Sequence, residues 1–169
     1  MRRSRIVSLL LCLALLLCAA TAITVAADGE GNAARIGMAN IEYGDRMYMA
    51  FTVEALEGEE LPEKVGIAAY GDEACATAPL HITFEIKTDK GGTEYYASLG
   101  IPAQEISTTY YYAVVTEVDG EIVIISEVTP YSVSAYLEDR KDDEGVTAAQ
   151  KKLYEKIVKY GAAADGVFN

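Results

Sequence analysis

The sequence is short of basic residues, cysteine and tryptophan. It has no tryptophan and one histidine, and its 14 lysines and arginines face 26 acidic residues. Three basic residues and no acidic ones lie in residues 1–27, which leaves 11 basic against 26 acidic residues beyond them, a formal charge of −15. So acidic a surface repels phosphates, which excludes nucleic acid and anionic lipid head groups as expected partners. Without tryptophan, a broad aromatic platform for crystalline polysaccharide is also not expected.

Cysteine is almost confined to the start of the chain. Cys12 and Cys18 lie in the apolar N-terminal segment, which leaves Cys75 alone and excludes an internal disulfide in the rest. A catalytic cysteine would need His81, the only histidine, as its base. The strand pattern described below places His81 on a polar face, so we interpret Cys75 as a small buried apolar residue.

The sequence also lacks the motifs that carry catalysis or hold a metal. It has no Gly-x-Ser-x-Gly motif, no phosphate-binding loop, no calcium-loop spacing, and too few histidines and cysteines for a zinc site. Paired acids such as Glu59-Glu60 and Asp142-Asp143 favour solvated loops, although structural calcium or a hydrolase that uses surface carboxylates stays open. We therefore predict a protein that is not an enzyme, with no catalytic residues, no metal site and no cofactor.

The first 27 residues have the order of a secretory signal peptide. Three arginines within the first five residues precede a leucine-rich apolar run over residues 6–20, and small residues follow. This order predicts a signal peptide over residues 1–27 and export to the cell surface or the extracellular space. The alternative is an uncleaved anchor helix, because the apolar stretch is long enough to cross a bilayer. Contact with a membrane is expected only in that case.

Two cleavage positions satisfy the small-residue rule. One follows Ala22, and the other lies between Ala27 and Asp28. We prefer the second because the chain turns polar and glycine-rich at Asp28, as an accessible mature N-terminus should. A lipoprotein signal is disfavoured because Leu17, which is not a small residue, precedes Cys18.

Apolar and polar side chains alternate from Arg46 onward, which predicts half-buried strands. The clearest alternation is in residues 80–87, which we expect to form a hairpin with residues 94–99 around a turn at residues 88–92. A second hairpin is expected around Asp119-Gly120, a pair that tolerates the positive φ of a type I′ turn. The seven predicted strands cover residues 36–43, 47–55, 65–70, 80–87, 94–99, 108–118 and 121–129.

Seven strand signals without an intervening helix predict an antiparallel sandwich. The predicted fold class is mainly β: an immunoglobulin-like or fibronectin III-like antiparallel sandwich with a C-terminal α-helical extension. We expect a flexible mature N-terminus over residues 28–34, the sandwich over residues 35–130, and a helical extension packed on it over residues 131–169.

Helical periodicity replaces alternation after Pro130. Ser132 is expected to cap a short helix through Leu137, and Thr147 to cap a second, longer helix. The second helix has an apolar stripe at spacings of four, three and four, formed by Leu153, Ile157, Tyr160 and Ala164. Gly161 either ends this helix or allows close contact with a sheet, and the three alanines after it favour continued helix.

The second hairpin is apolar on both faces. We assign Ile122 and Ile124 to the sandwich core, which leaves Val115, Val123 and Ile125 as an outer patch. The terminal helix is expected to cover this patch, so that deletion of residues 147–169 would cause aggregation.

Two stretches of the chain resemble known extracellular domains. Residues 108–129 resemble the final hairpin of fibronectin III and related immunoglobulin-like sandwiches, in which a tyrosine ties its hydroxyl to nearby backbone; Tyr110 has the matching position. Residues 100–106, 131–136 and 159–164 resemble an uncharacterised module of secreted and surface proteins of Gram-positive anaerobes, which closes with a helix ending in Tyr-Gly-Ala-Ala-Ala. The resemblance covers roughly residues 80–169, and it implies a β-rich, non-catalytic extracellular part.

Twelve tyrosines are the remaining unusual feature of the composition. Alternation places Tyr95, Tyr110 and Tyr112 in the core. Tyr96 and Tyr111 should point outward on neighbouring strands, where they form either an ordinary cross-strand pair or a small stacking surface for a ligand. These two tyrosines are the candidate ligand-binding residues.

The expected function is a secreted, non-catalytic interaction or structural module of the cell surface. Its expected partner is an extracellular protein or a component of the cell envelope. The alternative is a carbohydrate-binding module that uses the outward tyrosine face.

Overall fold

The structure is a computed structural model that describes residues 32–43, 46–88 and 95–168. The predicted signal peptide, its cleavage position between Ala27 and Asp28, and turn residues 89–92 lie outside the described residues. Within the described ranges, no helix is long and apolar enough to span a membrane.

Two antiparallel sheets form a sandwich that a C-terminal helical extension follows, as the alternation and the later helical period predicted. One sheet has the strand order β1-β2-β6-β5, and the other has the order β4-β3-β7-β8, with β9 also paired to β7. The strands are β1 (Ala34–Tyr43), β2 (Met47–Ala55), β3 (Val65–Tyr70), β4 (His81–Thr83), β5 (Ile86–Thr88), β6 (Tyr95–Ile101), β7 (Tyr110–Val118), β8 (Glu121–Ile124) and β9 (Thr129–Tyr131).

The sandwich extends one residue beyond its predicted limits at each end. The amides of Ala33 and Ala34 both donate to the Ile125 carbonyl at 3.0 Å, and Ala34 is buried. At the other end, Tyr131 still pairs with Tyr110. The first strand therefore also ties the edge of one sheet to the edge of the other.

The main core lies between the two sheets. On β2 the apolar positions of the alternation are buried, with Met49, Phe51 and Val53 almost fully inaccessible to solvent. The ring of Phe51 packs against the ring of Tyr112 on the opposite sheet, with 4.5 Å between the centroids. Alternation therefore predicted correctly which face of β2 and β7 fills the core.

The strand predicted over residues 80–87 is broken, and its two halves belong to different sheets. β4 pairs with β3, whereas β5 pairs with β6. His81 pairs with Ala69, which points into the core, so His81 lies on the inner side and its predicted position on the polar face is wrong. Leu80 and Ile82 are exposed instead. Alternation shows that neighbouring residues face opposite sides of a sheet, but it does not show which side is the core. When a chain passes from one sheet to the other, the side that faces the core can change.

The second hairpin has the predicted turn but the opposite assignment of faces. Asp119 and Gly120 both have positive φ, 53° and 85°, as a type I′ turn requires. This turn fixes a register in which Ile124 lies opposite Val115. Ile124 and Val115 therefore share the outer face, while Val123 and Ile125 pack into the main core. The prediction that Ile122 and Ile124 fill the core is wrong.

A second apolar cluster lies on the outer face of the second sheet. Its buried members are Ala68, Tyr70, Cys75, Ala113, Val115 and Ile124. Cys75 comes from the loop between β3 and β4, and this loop, rather than the terminal helix, contributes to the cover of the outer face. The predicted cover by residues 147–169 is therefore wrong.

Two helices form the C-terminal extension: α1 (Val133–Arg140) and α2 (Ala148–Phe168). The Oγ of Ser132 accepts from the amide of Ala135 at 3.1 Å, which confirms the first predicted cap. At the second helix, Thr147 Oγ1 accepts from the Gln150 amide at 3.3 Å, and Gln150 Oε1 accepts from the Thr147 amide at 2.9 Å. These reciprocal bonds form a capping box, which fixes where α2 begins.

The second helix packs against one end of the sandwich. Gly161 is buried within α2 against Ile106, which follows a short 3-10 turn (Ala103–Glu105). The glycine therefore serves close contact and not helix termination. The apolar stripe is only partly as predicted: Ile157 and Ala164 face the sandwich, but Leu153 and Tyr160 do not.

Candidate functional site

The two candidate tyrosines do not lie together. Tyr96 is on β6, between Thr52 and Lys87, while Tyr111 is on β7 in the other sheet. Their strand neighbours Ala97 and Tyr112 point into the core, so both tyrosines point outward, on opposite faces of the sandwich. The predicted shared stacking surface on neighbouring strands is therefore wrong. Tyr111 packs instead against the outer apolar cluster.

Tyr96 lies in a groove between the outer face of the first sheet and the helical extension. The groove has a volume of about 490 Å³. Three tyrosines from three separate elements line it: Tyr96 from β6, Tyr136 from α1 and Tyr154 from α2. We call it the tyrosine groove; its polar lining includes Asn40, Glu42, Arg140 and Asp143.

Local sequence determines how each ring reaches the groove. Tyr96 points outward because it alternates with the buried Ala97. The Ser132 cap begins α1 so that Tyr136 and Arg140, four residues apart, lie on the same side of the helix. Tyr154 comes from the second turn of α2, whose start Thr147 fixes.

Hydrogen bonds hold the α1 side of the groove. The Tyr136 hydroxyl donates to Asn40 Oδ1 at 3.1 Å. Arg140 lies with its guanidinium 5.4 Å from the Tyr136 ring centroid, and its Nη1 donates to Asp143 Oδ2 at 2.8 Å. Within the described chain, the Asn40 amide nitrogen has no partner, so its two hydrogens are available to a ligand.

The sheet side of the groove carries a second set of fixed polar groups. Glu42 Oε2 accepts from Ser98 Oγ at 2.8 Å and lies 4.0 Å from Lys87 Nζ. The same ammonium lies 5.9 Å from the centroid of the Tyr96 ring. A ligand in the groove therefore meets the half-buried side chains of Tyr96 and Tyr154 beside an amide, a carboxylate and a guanidinium that are held in place before binding.

Tyr95 has a different environment from the one predicted. It follows the inward alternation of β6, but its side chain is 44 % exposed. It lies at the first position of β6, at the rim of a larger open groove of about 890 Å³ that Phe84 and Ile86 also line. A side chain on the inward side of a strand is buried only where the other sheet covers it. The prediction that Tyr95 is a core residue is therefore wrong, whereas it is confirmed for Tyr110 and Tyr112.

Tyr110 makes a polar cluster with two residues that the sequence did not single out together. Its hydroxyl donates to Glu105 Oε2 at 2.5 Å, rather than to backbone as the resemblance implies. His81 Nε2 lies 3.1 Å from the same carboxylate oxygen and 3.3 Å from the hydroxyl. Burial, with the hydrogen bond to Glu105, raises the pKa of Tyr110. The cluster therefore joins β4, β7 and the 3-10 turn, and it holds His81 in place as a structural contact.

Cys75 is buried, as predicted, and its thiol is a poor nucleophile. Burial, and to a lesser extent the charge of Asp72, raises its pKa from 9.0 to about 11. Its Sγ lies 3.7 Å from the carbonyl oxygen of Glu73. Because the thiolate is the reactive form, so high a pKa leaves almost none of it near neutral pH.

The raised pKa of Cys75 predicts a loss of stability at alkaline pH. The folded protein holds the thiol proton more tightly than the unfolded chain, so this stabilisation is complete below pH 9 and is lost as the pH rises toward 11. Cys75→Ala is expected to lose less stability than the natural chain between pH 8 and pH 10.5, by on the order of 2 kcal/mol. Urea unfolding at the two pH values measures the difference. The buried Tyr70, whose pKa is raised to about 12, is present in both proteins and would not distinguish them. An equal decline of stability in both would therefore contradict the raised pKa of Cys75.

No site of metal-ligating composition is present in the described ranges, where no three His, Cys, Asp or Glu side chains gather closely enough to hold an ion.

Comparison with known proteins adds no relative. No protein-family model matches this chain, and no curated protein or solved structure is significantly similar to it. The tyrosine groove and the chemistry of its lining are therefore the basis for a functional proposal.

Proposed function

We propose that this chain is an exported, non-catalytic interaction module that works at the cell surface or outside the cell. Its partner is a protein or a component of the cell envelope. The observation that carries the proposal is the tyrosine groove, in which three rings from three elements stand beside hydrogen-bonded polar groups. Concave surfaces of this composition, formed before the ligand arrives, are typical of binding sites.

The order of strands supports an immunoglobulin-like module. The arrangement β1-β2-β6-β5 against β3-β7-β8 corresponds to strands A-B-E-D against C-F-G of constant-type immunoglobulin domains, with β4 added beside the C strand. Export is proposed from the leader alone, and kinship with surface modules of Gram-positive anaerobes from the three resembling segments alone. Because many functions share this fold, the groove and not the fold carries the binding role.

The chemistry of the reactive side chains supports a non-catalytic role. Cys75 is buried with a raised pKa. His81 is engaged with Glu105 and the Tyr110 hydroxyl. Neither side chain has the arrangement of an activated nucleophile beside its base.

Retention on cells of the source organism tests the proposed role. The chain is expressed with its own leader, purified from the medium or the envelope, and added to intact cells, peptidoglycan and soluble polysaccharides, with and without calcium. We expect specific retention on cells or on an envelope preparation. A protein that stays in the cytoplasm, or that none of these materials retains, would contradict the proposal.

The second candidate function is carbohydrate binding, which the lining of the tyrosine groove favours. Sugar rings present C–H faces that stack on tyrosine and hydroxyls that bond to amide and carboxylate groups. Tyr96, the Asn40 amide nitrogen and Glu42 supply these three kinds of contact in one groove. The high density of fixed polar groups favours a glycan over a wholly apolar ligand.

Tyr96→Ala tests carbohydrate binding. Removal of one stacking ring is expected to weaken retention on a bound polysaccharide by about five- to thirtyfold, since an aromatic contact contributes about 1 to 2 kcal/mol. Tyr111→Ala, the matched change on the opposite face, should leave retention unchanged. Affinity electrophoresis in gels that contain the polysaccharide measures both. Equal retention of the two variants would exclude the tyrosine groove as the glycan site.

A further inference from the structure

The second helix carries an apolar row that the sandwich covers only in part. Leu153, Ile157, Tyr160, Ala164 and Val167 recur at spacings of four, three, four and three, which is the heptad pattern of a helix that packs against another helix. Ile157 and Ala164 face the sandwich. Leu153, Tyr160 and Val167, seven residues apart, are 45 %, 64 % and 76 % exposed.

A groove runs beside this row. It lies between α2 and the end of the sandwich and has a volume of about 630 Å³. We call it the helix groove, and its apolar lining comes from Met47, Ile101, Pro102, Ile106, Ile157 and Tyr160. Ile101 and Ile106 are also core residues, so the floor of the groove is firmly held. The exposed row and the groove form one continuous surface, because Tyr160 belongs to both.

Cations border this surface, although the chain as a whole is strongly acidic. Arg46 and Lys156 line the helix groove on opposite sides, one from the sandwich and one from α2. Lys152 and Lys159 lie on the exposed side of the helix. Within the part of the chain that the structure describes, Lys152, Lys156 and Lys159 form no ion pair. Unpaired lysines beside an apolar seam select a partner of opposite charge.

The charge and the shape of the surface decide between possible occupants. A second copy of this chain, docked through the same face, would bring Lys156 and Lys159 against lysines of its partner, which is unfavourable. A flat bilayer would meet the exposed row but would leave the helix groove unfilled. A helix with apolar side chains on one face fills the groove, and carboxylates along its flank meet Lys156 and Lys159 of α2.

We propose that α2 and the helix groove bind an acidic amphipathic helix of a partner protein. The row from Leu153 to Val167 spans 14 residue steps, about 21 Å, so the partner helix has about four turns. This inference rests on the proposed role as an interaction module and names the kind of partner. It uses a different surface from the tyrosine groove, so the two sites are separable by experiment.

A pair of synthetic peptides tests the proposal on the full chain, expressed with its own leader. Both peptides have about 21 residues in three heptads with leucine at positions a and d; one has glutamate at e and g, and the other has lysine there. Like-charge repulsion keeps each peptide monomeric. Fluorescence anisotropy is expected to give a dissociation constant at least about tenfold lower for the glutamate peptide. The double variant K156E/K159E should reverse this preference, and added salt should weaken the preferred complex.

Two single variants separate this site from the tyrosine groove. Tyr160→Asp, at an exposed position, is expected to weaken binding of the glutamate peptide by at least about tenfold. Tyr96→Ala should leave peptide binding unchanged, whatever it does to retention on a glycan. Circular dichroism checks that each variant is folded.

Four results would overturn the inference. The first is no binding of either peptide, and the second is equal binding of both. The third is binding to vesicles with a high content of phosphatidylglycerol in place of the glutamate peptide, which would make a bilayer the occupant. The fourth is a dimer of the chain in sedimentation that Tyr160→Asp abolishes, which would make a second copy the occupant.

Discussion

Gly161→Leu is expected to detach the C-terminal helix from the sandwich. A Cβ atom at this position would lie 2.8 Å from the Cβ and 3.0 Å from the Cγ2 of Ile106. Ile106 is buried in the main core, so it cannot move aside without disturbing its own neighbours. We expect a loss of about 3 kcal/mol in the free energy of unfolding, although leucine is the better helix former.

Gly166→Leu is the matched control within the same helix. A Cβ atom there would have no neighbour within 4 Å. Only the helical preference changes, so stability should rise by up to about 1 kcal/mol. Urea unfolding measures both variants, and binding of a hydrophobic dye reports whether the end of the sandwich is uncovered in Gly161→Leu. If both leucines shift stability alike, α2 does not pack against Ile106 through Gly161.

Alternation predicted the strands best where one face is buried over most of the strand. The inward set is buried from Met49 to Val53 on β2 and from Tyr110 to Thr116 on β7, so period two identified both the strand and its buried face. On residues 80–87 the pattern was as clear, but it could not show that the chain changes sheets at Phe84 and Glu85. That step depends on the pairing of β4 with β3 and of β5 with β6, about which the alternation inside the segment carries no information.

The apolar stripe of α2 shows a different limit of sequence reasoning. Leu153, Ile157, Tyr160 and Ala164 form a regular pattern, yet the sandwich takes only one side of it. The pattern predicted a surface that packs against another element, without showing that the sandwich leaves Leu153 and Tyr160 exposed. Gly161, in contrast, is interpreted from local chemistry as a helix end or a close contact with a sheet, and it makes a close contact, though with Ile106 after the 3-10 turn and not with a strand.

Of the residues that line the tyrosine groove, the sequence identified only Tyr96 as a candidate. Outward alternation identified Tyr96, but Tyr136, Tyr154 and Asn40 meet it through the packing of α1 and α2 on the sandwich. The same holds for His81 and Glu105, whose contact with Tyr110 depends on the inner position of β4. No local pattern links residues that tertiary packing alone brings together.

Ser126→Ala is expected to lower the free energy of unfolding by about 2 kcal/mol, because it leaves a buried amide without a partner. Beyond the end of β8 at Ile124, the Ile125 amide still donates to the Val114 carbonyl, but the Ile125 carbonyl accepts from the amides of Ala33 and Ala34. The Val114 amide donates to Ser126 Oγ at 2.8 Å, and this hydroxyl donates to the Glu127 carbonyl at 2.8 Å. Val114 and Ser126 are both buried, so water cannot readily replace the lost hydroxyl.

Ser98→Ala is the control, because its hydroxyl bonds to Glu42 at the half-buried surface and water replaces that bond at a cost of about 0.5 kcal/mol. Urea unfolding compares the two variants, and hydrogen exchange at the Val114 amide should accelerate only in Ser126→Ala. Equal losses would mean that the Ser126 hydroxyl does not hold the Val114 amide.

The segment that contains Ser126 leads through β9 into the Ser132 cap and α1, so its loosening should also displace Tyr136. Ser126→Ala is therefore expected to weaken ligand binding in the tyrosine groove while the helix groove keeps its affinity.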